Sequence, residues 1–205
     1  TLQAIIGTDI ITTVSQTYAK DILTEQFGEG FHEILQTRSN SIVGIVNGIN
    51  FEEYNPKTDQ AIFYQYDQTN HTEGKKQNKI ALFKELDIDL DPNKPLLGYI
   101  TNITYQHGTD LIIDSIDEIN NLGYILIVQG IGDKTLEKKL LNTTKGKKNI
   151  IIINNQSIDL ERKIYASSDF ILIPSRYEPS NTKQLIAMRY GAIPIARNTG
   201  SLADT

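Results

Sequence analysis

A loop late in the chain carries the side chains most suited to chemistry. It reads Pro-Ser-Arg-Tyr-Glu-Pro-Ser-Asn-Thr at 174–182, between an apolar run and an amphipathic stretch. Glu178 supplies a carboxylate, and Ser180, Asn181 and Thr182 are residue types that cap the N-terminus of a following helix. The loop fits a ligand site at the carboxyl end of a parallel sheet. It also fits a capped helix with a surface ion pair, and the residues alone favour this second interpretation.

Two glycine-containing turns are candidates for binding an anion. Gly-Ile-Gly-Asp at 130–133 follows a predicted strand and precedes a predicted helix, where backbone amides can hold phosphate. The third glycine of the dinucleotide fingerprint is absent, because position 135 is threonine. Thr-Gly-Ser at 199–201 follows the last predicted strand. Each turn is either an anion site or a plain tight turn, and the residues leave both readings open.

Other kinds of catalytic site find no support. The chain has no cysteine, which excludes a disulfide framework, a thiolate nucleophile and a thiolate metal site. The three histidines, His32, His71 and His107, have no companion at helical spacing, so we expect no metal site. The sequence contains neither a nucleophile-elbow serine nor a Walker loop. The remaining candidates are phosphate and sugar sites.

The charge balance excludes two classes of partner. The 205 residues include 25 acidic and 20 basic side chains, giving a formal net charge of −5. No basic tract is present to attract nucleic acid or an anionic membrane surface. No apolar run approaches the ~20 residues of a membrane-spanning helix. We therefore expect neither a nucleic-acid nor a membrane partner. The absence of cysteine favours a reducing compartment.

From residue 95 onward, apolar runs alternate with amphipathic stretches. This alternation predicts an α/β fold of βαβ units around a parallel sheet, whose carboxyl edge would carry the loops described above. The predicted strands are 96–100, 124–128, 149–153, 170–173 and 192–196, and the predicted helices are 108–121, 134–141, 158–166 and 182–190.

The first part of the chain follows a different pattern. We predict strands at 9–14 and 41–46, a helix capped by Ser15 and running to residue 26, and a short helix at 31–38. Residues 55–78 are polar and show neither the helical nor the strand period, which predicts a loop.

Several segments, in the same order along the chain, resemble bacterial glycogen synthases and plant starch synthases. The matching segments lie at 13–23, 47–56, 74–79, 104–110 and 130–133, and most strongly at 174–179, 184–185, 189–191, 194 and 199–205. They cover almost the whole chain. The alternative that the chain is an unrelated nucleotide-binding module would require the order of these motifs to be accidental.

The resemblance implies a two-lobed glycosyltransferase fold of the GT-B type with Rossmann-like parallel sheets. Residues 1–55 would be the end of the N-terminal lobe and the interdomain segment, 56–77 a polar loop, and 78–205 a nearly complete nucleotide-sugar-binding lobe. The N-lobe would be partial, its missing part belonging to the same parent chain or to a partner.

The resemblance also implies an enzyme of the cytoplasm or the plastid stroma. It would transfer glucose from ADP-glucose to the 4-hydroxyl of an α-1,4-glucan with retention, using neither metal nor cofactor. Glu178 would lie beside the donor sugar. The implied donor-binding residues are Asn102, His107, Gly108, Gly130, Gly132, Asp133, Gln156, Ser180, Asn181, Thr182, Thr199, Gly200 and Ser201, and the interdomain residues are Asn47 and Gly48.

The chain departs from the family at these same donor contacts. Asn102 and His107 stand where the family has an arginine and a lysine for the diphosphate, and Gln156 replaces the aromatic residue that stacks on adenine. Ser180-Asn181 replaces a Cys-Gly pair, and Ser201 replaces a glycine. Two lost charge-assisted hydrogen bonds amount to ~3–6 kcal/mol, or about two to four powers of ten in affinity. The alternative function is therefore a catalytically degenerate homologue acting as a glucan-associated scaffold or partner.

Overall fold

The computed structural model describes residues 2–205, which form two compact units. The first unit comprises the described residues up to Gly48 together with Ser175–Thr182 and Arg197–Thr205, and the second comprises Ile49–Pro174 and Lys183–Ala196. The predicted domains 1–55, 56–77 and 78–205 divide the chain elsewhere, because two late segments pack with the first unit. That those domains are the lobes of the family stays a prediction.

The first unit contains a small parallel sheet and short helices. Its elements are α1 (Leu2–Gly7), β1 (Ile11–Thr13), α2 (Gln16–Asp21), α3 (His32–Thr37), a 3₁₀ turn (Ser39–Ser41), β2 (Ile42–Gly44) and a second 3₁₀ turn (Gly200–Ala203). β1 pairs with β2 in parallel, with Ile11 opposite Ile42. Both predicted strands are present but shorter than expected, and α1 was not predicted.

A carboxylate near the end of the chain holds the beginning of α2. Ser15 caps this helix as predicted, its hydroxyl accepting a hydrogen bond from the Tyr18 amide at 2.8 Å. Asp204 accepts hydrogen bonds from the Ser15 hydroxyl at 2.6 Å, and from the hydroxyl and amide of Thr17 at 2.6 and 3.0 Å. These contacts explain why residues 197–205 belong to the first unit.

The prediction that α2 runs to residue 26 is wrong. The helix ends at Asp21, whose carbonyl accepts hydrogen bonds from both the amide and the hydroxyl of Thr24. Threonine side chains that bond nearby carbonyls compete with helix continuation. The backbone then folds back so that Gly28 packs against the Thr24 carbonyl, where a Cβ would be too close at 2.8 Å.

The second unit is built on a five-stranded parallel sheet. The strands are β3 (Leu96–Ile100), β4 (Ile125–Gln129), β5 (Ile150–Ile153), β6 (Phe170–Ile173) and β7 (Ile193–Ala196), in the order β5-β4-β3-β6-β7. The helices are α4 (His71–Glu85), α5 (Thr109–Asn121), α6 (Lys134–Thr143), α7 (Ile158–Ser167) and α8 (Lys183–Arg189). Every residue of β3 and β4 is buried, as expected for strands covered by helices on both faces. The predicted parallel α/β unit is confirmed, with strand bounds within one residue.

The prediction of a loop over residues 55–78 is wrong at its end, because α4 begins at His71. The buried face of α4 is partly polar and partly apolar, so it gives no continuous apolar period. Asn78 accepts hydrogen bonds from the amides of Phe63 and Tyr64, and it donates to the Tyr64 and Gly74 carbonyls. Lys79 is 6% exposed and pairs with Asp169 at 2.7 Å. Tertiary hydrogen bonds therefore take the place of part of the apolar stripe that a buried helix usually shows.

Candidate functional site

A cleft of about 300 Å³ opens in the second unit, where β3 and β4 end. Parallel α/β sheets bind ligands at this edge. The residues lining the cleft are Ile100, Thr101, Asn102, Gln129, Gly130, Asn155, Gln156, Ile158, Glu161 and Lys183. Three of the predicted donor-binding residues, Asn102, Gly130 and Gln156, therefore lie together in one cleft.

Two departures from the family contact each other in this cleft. The Gln156 amide donates a hydrogen bond to Asn102 Oδ1 at 2.8 Å, and both side chains are exposed. The pair is neutral and offers amide groups for hydrogen bonding. The two residues thus supply neither the positive charge nor the aromatic face that the resemblance assigns to their positions.

Two further cleft residues were missed by sequence analysis. Gln129 closes the apolar run of β4, and its polarity at the end of a buried strand was the available signal. Lys183 is the first residue of α8, and its Nζ donates a hydrogen bond to the Ile100 carbonyl at 2.7 Å. A single lysine at a helix start gives no sequence signal of its own.

The turn at 130–133 uses three of its four amides in hydrogen bonds to other parts of the protein. Gly130 donates to the Ile153 carbonyl at 3.1 Å, and Asp133 donates to the Ile103 carbonyl at 2.8 Å. Gly132 donates to a Glu137 carboxylate oxygen at 2.7 Å. In this structure these three amide protons are donated to protein acceptors, as in a plain tight turn, and an anion-binding role of the turn stays a prediction.

The residues of this turn also have structural roles. The Asp133 carboxylate caps α6 by accepting from the Thr135 and Leu136 amides at 2.9 Å each. A Cβ on Gly130 would overlap the Thr101 carbonyl oxygen, and a Cβ on Gly132 would overlap the backbone of Ile103. The glycines thus allow the loops after β3 and β4 to approach closely.

His107 and Gly108 lie in the loop before α5, and neither lines the cleft. The His107 ring is half-buried, with Nδ1 2.8 Å from the Thr104 hydroxyl oxygen. The Tyr99 hydroxyl donates to the His107 carbonyl at 3.0 Å, and burial raises the pKa of Tyr99 to about 12. Gly108 has φ +76°, and a Cβ there would overlap the Pro174 carbonyl oxygen. The structure therefore does not bring His107 and Asn102 together in the cleft.

Glu178 lies in the first unit, where its carboxylate is held in place. The residue is 6% exposed, and Oε2 accepts a hydrogen bond from the Asn181 side-chain amide at 2.9 Å. Its carbonyl accepts from the Ser201 amide at 2.9 Å. Gly200, with φ +48°, packs so closely on this carbonyl that a Cβ would overlap it. The predicted residues Glu178, Asn181, Gly200 and Ser201 therefore form one local cluster.

Stacked aromatic rings support the same loop. Tyr177 stacks on Phe27 with ring centroids 5.3 Å apart, and it meets the Tyr18 ring edge-on at 5.6 Å. The Tyr18 and Tyr177 hydroxyls share a hydrogen bond. Burial and the contact with Tyr18 raise the pKa of Tyr177. This packing fixes the backbone next to Glu178.

The expected diphosphate contact at the Asn181 amide is occupied in this structure. That amide donates to the Ser201 hydroxyl at 2.8 Å, so the serine that replaces a family glycine takes the predicted donor. Ser180 accepts from the Asn47 side chain at 2.7 Å. Thr199 donates to the Arg176 carbonyl at 3.5 Å. Thr182 is half-buried and Gly48 is exposed, and neither position indicates a role in binding. The roles of these two residues stay predictions.

The described residues also bear on two other kinds of function. Residues 2–205 contain no group of three or more His, Asp or Glu side chains arranged to hold a metal ion. Over the same range, no helix has the length and apolar character needed to cross a membrane.

Comparison with known proteins agrees with the fold. Residues 78–205 match the family described as Glycosyl transferases group 1, and residues 2–37 match the Starch synthase catalytic domain. Glycogen synthases from Pseudothermotoga lettingae and Lactobacillus acidophilus are 45% and 42% identical over 202 residues, which is 98% of this chain.

A solved structure is similar over the same length. The catalytic domain of Starch Synthase IV from Arabidopsis thaliana, bound to ADP and acarbose, matches 98% of this chain with a TM-score of 0.90 and 37% identity. The expected α/β glycosyltransferase fold of the GT-B type is thereby confirmed. The chain spans 41–42% of the length of these three proteins. The match of residues 78–205 shows that the chain belongs to the glycosyl transferases group 1 family.

Proposed function

We propose that this chain is part of a retaining glucosyltransferase of the glycogen and starch synthase type. The reaction would transfer glucose from ADP-glucose to the 4-hydroxyl of an α-1,4-glucan. One observation carries the proposal: 98% of the chain matches, at a TM-score of 0.90, a starch synthase catalytic domain bound to ADP and acarbose. Identities of 42–45% to glycogen synthases over 202 residues support the same assignment.

Glu178 is the residue we assign to the donor sugar. Its carboxylate is buried and held by Asn181, so little reorganisation is needed as positive charge develops at the anomeric carbon. A fixed carboxylate shielded from water stabilises such charge more strongly than an exposed one. The aromatic packing of Tyr177 on Phe27 keeps this geometry without involving the substrate.

The cleft at the ends of β3 and β4 is assigned to the nucleotide of the donor. Its location at the carboxyl edge of the sheet and its volume of about 300 Å³ support this role. The sugar nucleotide is a substrate that leaves after each turnover, so the proposal requires neither a resident cofactor nor a metal.

The partners in this proposal are the nucleotide sugar and the glucan acceptor. The rest of the N-terminal lobe would come from the same polypeptide or from a partner chain. We propose the cytoplasm or the plastid stroma as the compartment, the absence of cysteine being consistent with a reducing environment.

A chimera tests the proposal. This chain would replace the corresponding segment of the Pseudothermotoga lettingae glycogen synthase, and transfer of label from radioactive ADP-glucose to glycogen would be measured. We expect incorporation, and at least a hundredfold slower turnover in the same chimera carrying Glu178→Gln, or ~2.7 kcal/mol of transition-state stabilisation.

Two results would contradict the assignment. If the folded chimera binds glycogen but neither binds ADP nor transfers label, the glucan-associated scaffold becomes the better interpretation. If Glu178→Gln lowers the unfolding midpoint but leaves the activity per folded molecule unchanged, Glu178 has a structural role.

A further inference from the structure

Gln129 and Lys183 meet at the end of the two central strands. Gln129 is the last residue of β4, and the register of the sheet places it opposite Ile100, the last residue of β3. Lys183 Nζ donates to the carbonyl of that same Ile100 at 2.7 Å. Both side chains line the cleft, so an ammonium group and a side-chain amide lie at neighbouring strand ends.

Lys183 carries the positive charge of the cleft. Among the ten residues that line it, the charged side chains are Lys183 and Glu161. Position 102, where the resemblance implies a cation, holds a neutral asparagine that is hydrogen-bonded to Gln156. An anionic group entering this cleft would therefore find its opposite charge at the start of α8 and not in the loop after β3.

Gln129, which lines the same cleft, also holds a buried acceptor. The residue is 2% exposed, and its Nε2 donates to the Ser157 carbonyl at 2.8 Å and to Asn155 Oδ1 at 3.2 Å. These two acceptors fix the orientation of the amide, since a flipped amide would place oxygen against oxygen. Within residues 2–205, Gln129 Oε1 has no hydrogen-bond partner. A buried acceptor without a partner is destabilising, and a ligand O–H or N–H group would relieve it.

We propose that this cleft binds the ribose diphosphate part of a nucleotide through Lys183 and Gln129. The inference rests on the proposed function and specifies how its donor is held. Lys183 pairs with the diphosphate, and Gln129 Oε1 accepts a hydrogen bond from a ribose hydroxyl. Phosphate and ribose are adjacent in a nucleoside diphosphate, which matches the neighbouring positions of the two side chains.

Calorimetric titration of the chain with three ligands separates the two roles. Lys183→Met should weaken the binding of ADP and of pyrophosphate at least tenfold, ~1.4 kcal/mol, and leave adenosine unchanged. Lys183→Arg should retain most of the affinity, and added salt should reduce the difference between Lys183→Met and the wild type. The matched control is Lys139→Met, because Lys139 is an exposed lysine that pairs with Asp114 and does not line the cleft.

The acceptor role of Gln129 can be tested with and without a substitution. The wild-type chain should bind 2′,3′-dideoxy-ADP at least about fivefold less tightly than ADP, and Gln129→Met should abolish this difference. Pyrophosphate, which has no ribose, should bind the Gln129→Met variant as it binds the wild type. The dideoxy comparison needs no variant, so it decides the point even if Gln129→Met does not fold.

The outcomes distinguish this inference from the proposed function. If the wild type binds ADP but Lys183→Met behaves like Lys139→Met, the assignment of Lys183 is wrong and the proposed function is unaffected. Equal binding of ADP and 2′,3′-dideoxy-ADP would overturn the role of Gln129 alone. If the wild type binds neither ADP nor pyrophosphate at millimolar concentration, both this inference and the donor site of the proposed function are wrong.

Discussion

Replacing Ser201 with alanine should release the amide that the resemblance assigns to the donor diphosphate. In the structure, the Asn181 amide donates to the Ser201 hydroxyl at 2.8 Å, and that hydroxyl lies 3.3 Å from the Glu178 carbonyl oxygen. Ser201→Ala removes both contacts and keeps the Cβ, so it changes the hydrogen bonding without the added backbone freedom of glycine.

The two effects of Ser201→Ala have opposite signs. The lost hydroxyl contacts should lower the free energy of unfolding by ~1–2 kcal/mol, because an ordinary intramolecular hydrogen bond contributes ~0.5–1.5 kcal/mol. The Asn181 amide then becomes available to an anionic oxygen, and a hydrogen bond to a charged group contributes ~1.5–3 kcal/mol. We therefore expect ADP to bind roughly ten- to a hundredfold more tightly.

Calorimetry with ADP and urea unfolding measure these two effects separately. Ser41→Ala is a control, because Ser41 is a half-buried serine in the other 3₁₀ turn of the first unit. We expect this control to leave the affinity for ADP unchanged. A fall in stability of Ser201→Ala with no gain in affinity would show that the Asn181 amide does not face a phosphate.

The remaining predictions concern one contact in each unit. Asp204→Asn should lower the free energy of unfolding by ~1–3 kcal/mol, since hydrogen bonds from Ser15 and Thr17 overcome the effect of burial and lower the pKa of Asp204. This stabilisation is complete above the usual pKa of 3.8 and is lost as the pH falls through the lower folded-state pKa, so urea unfolding from pH 7 to pH 2 should show a smaller decline for the variant; an equal decline would contradict it. In the second unit, Asn102→Arg alone should strengthen ADP binding less than Asn102→Arg with Gln156→Tyr, because the single change leaves Gln156 without its partner; additive gains in calorimetry would contradict this coupling.

The parallel sheet was predictable because its signal is local and repeated. β3 and β4 are continuous apolar runs, and α5 places Ile112, Ile116 and Ile119 on one buried face. In α4, by contrast, the buried positions include Asn78 and Lys79, whose partners lie at Tyr64 and Asp169. Such a helix depends on contacts between distant parts of the chain, which no local period records.

The candidate site was predictable in its location but not in its hydrogen bonding. Sequence analysis placed Glu178, Asn181 and Ser201 in loops at strand ends, and the structure brings them together. It could not show that the amides of Gly132 and Asp133 donate to Glu137 and to the Ile103 carbonyl, because a phosphate-binding turn and a tight turn share the same residues. Lys183 was missed because its relevance depends on the neighbouring Ile100 carbonyl.

Apart from His107, the residues that the resemblance marks as departures lie in contact with other candidate residues. Asn102 is bonded to Gln156, Asn181 to Ser201, and Ser180 to Asn47. Each contact satisfies polar groups that would otherwise need a ligand or water, and the contacts explain how the changes coexist without leaving these groups unpaired. These contacts also affect the expected loss of donor affinity. A sum of independent free-energy contributions from each position does not apply to side chains that are hydrogen-bonded to one another. Under the proposed function, donor affinity would therefore depend on competition between the nucleotide and the Asn102–Gln156 hydrogen bond, and on the charge that Lys183 supplies in the same cleft.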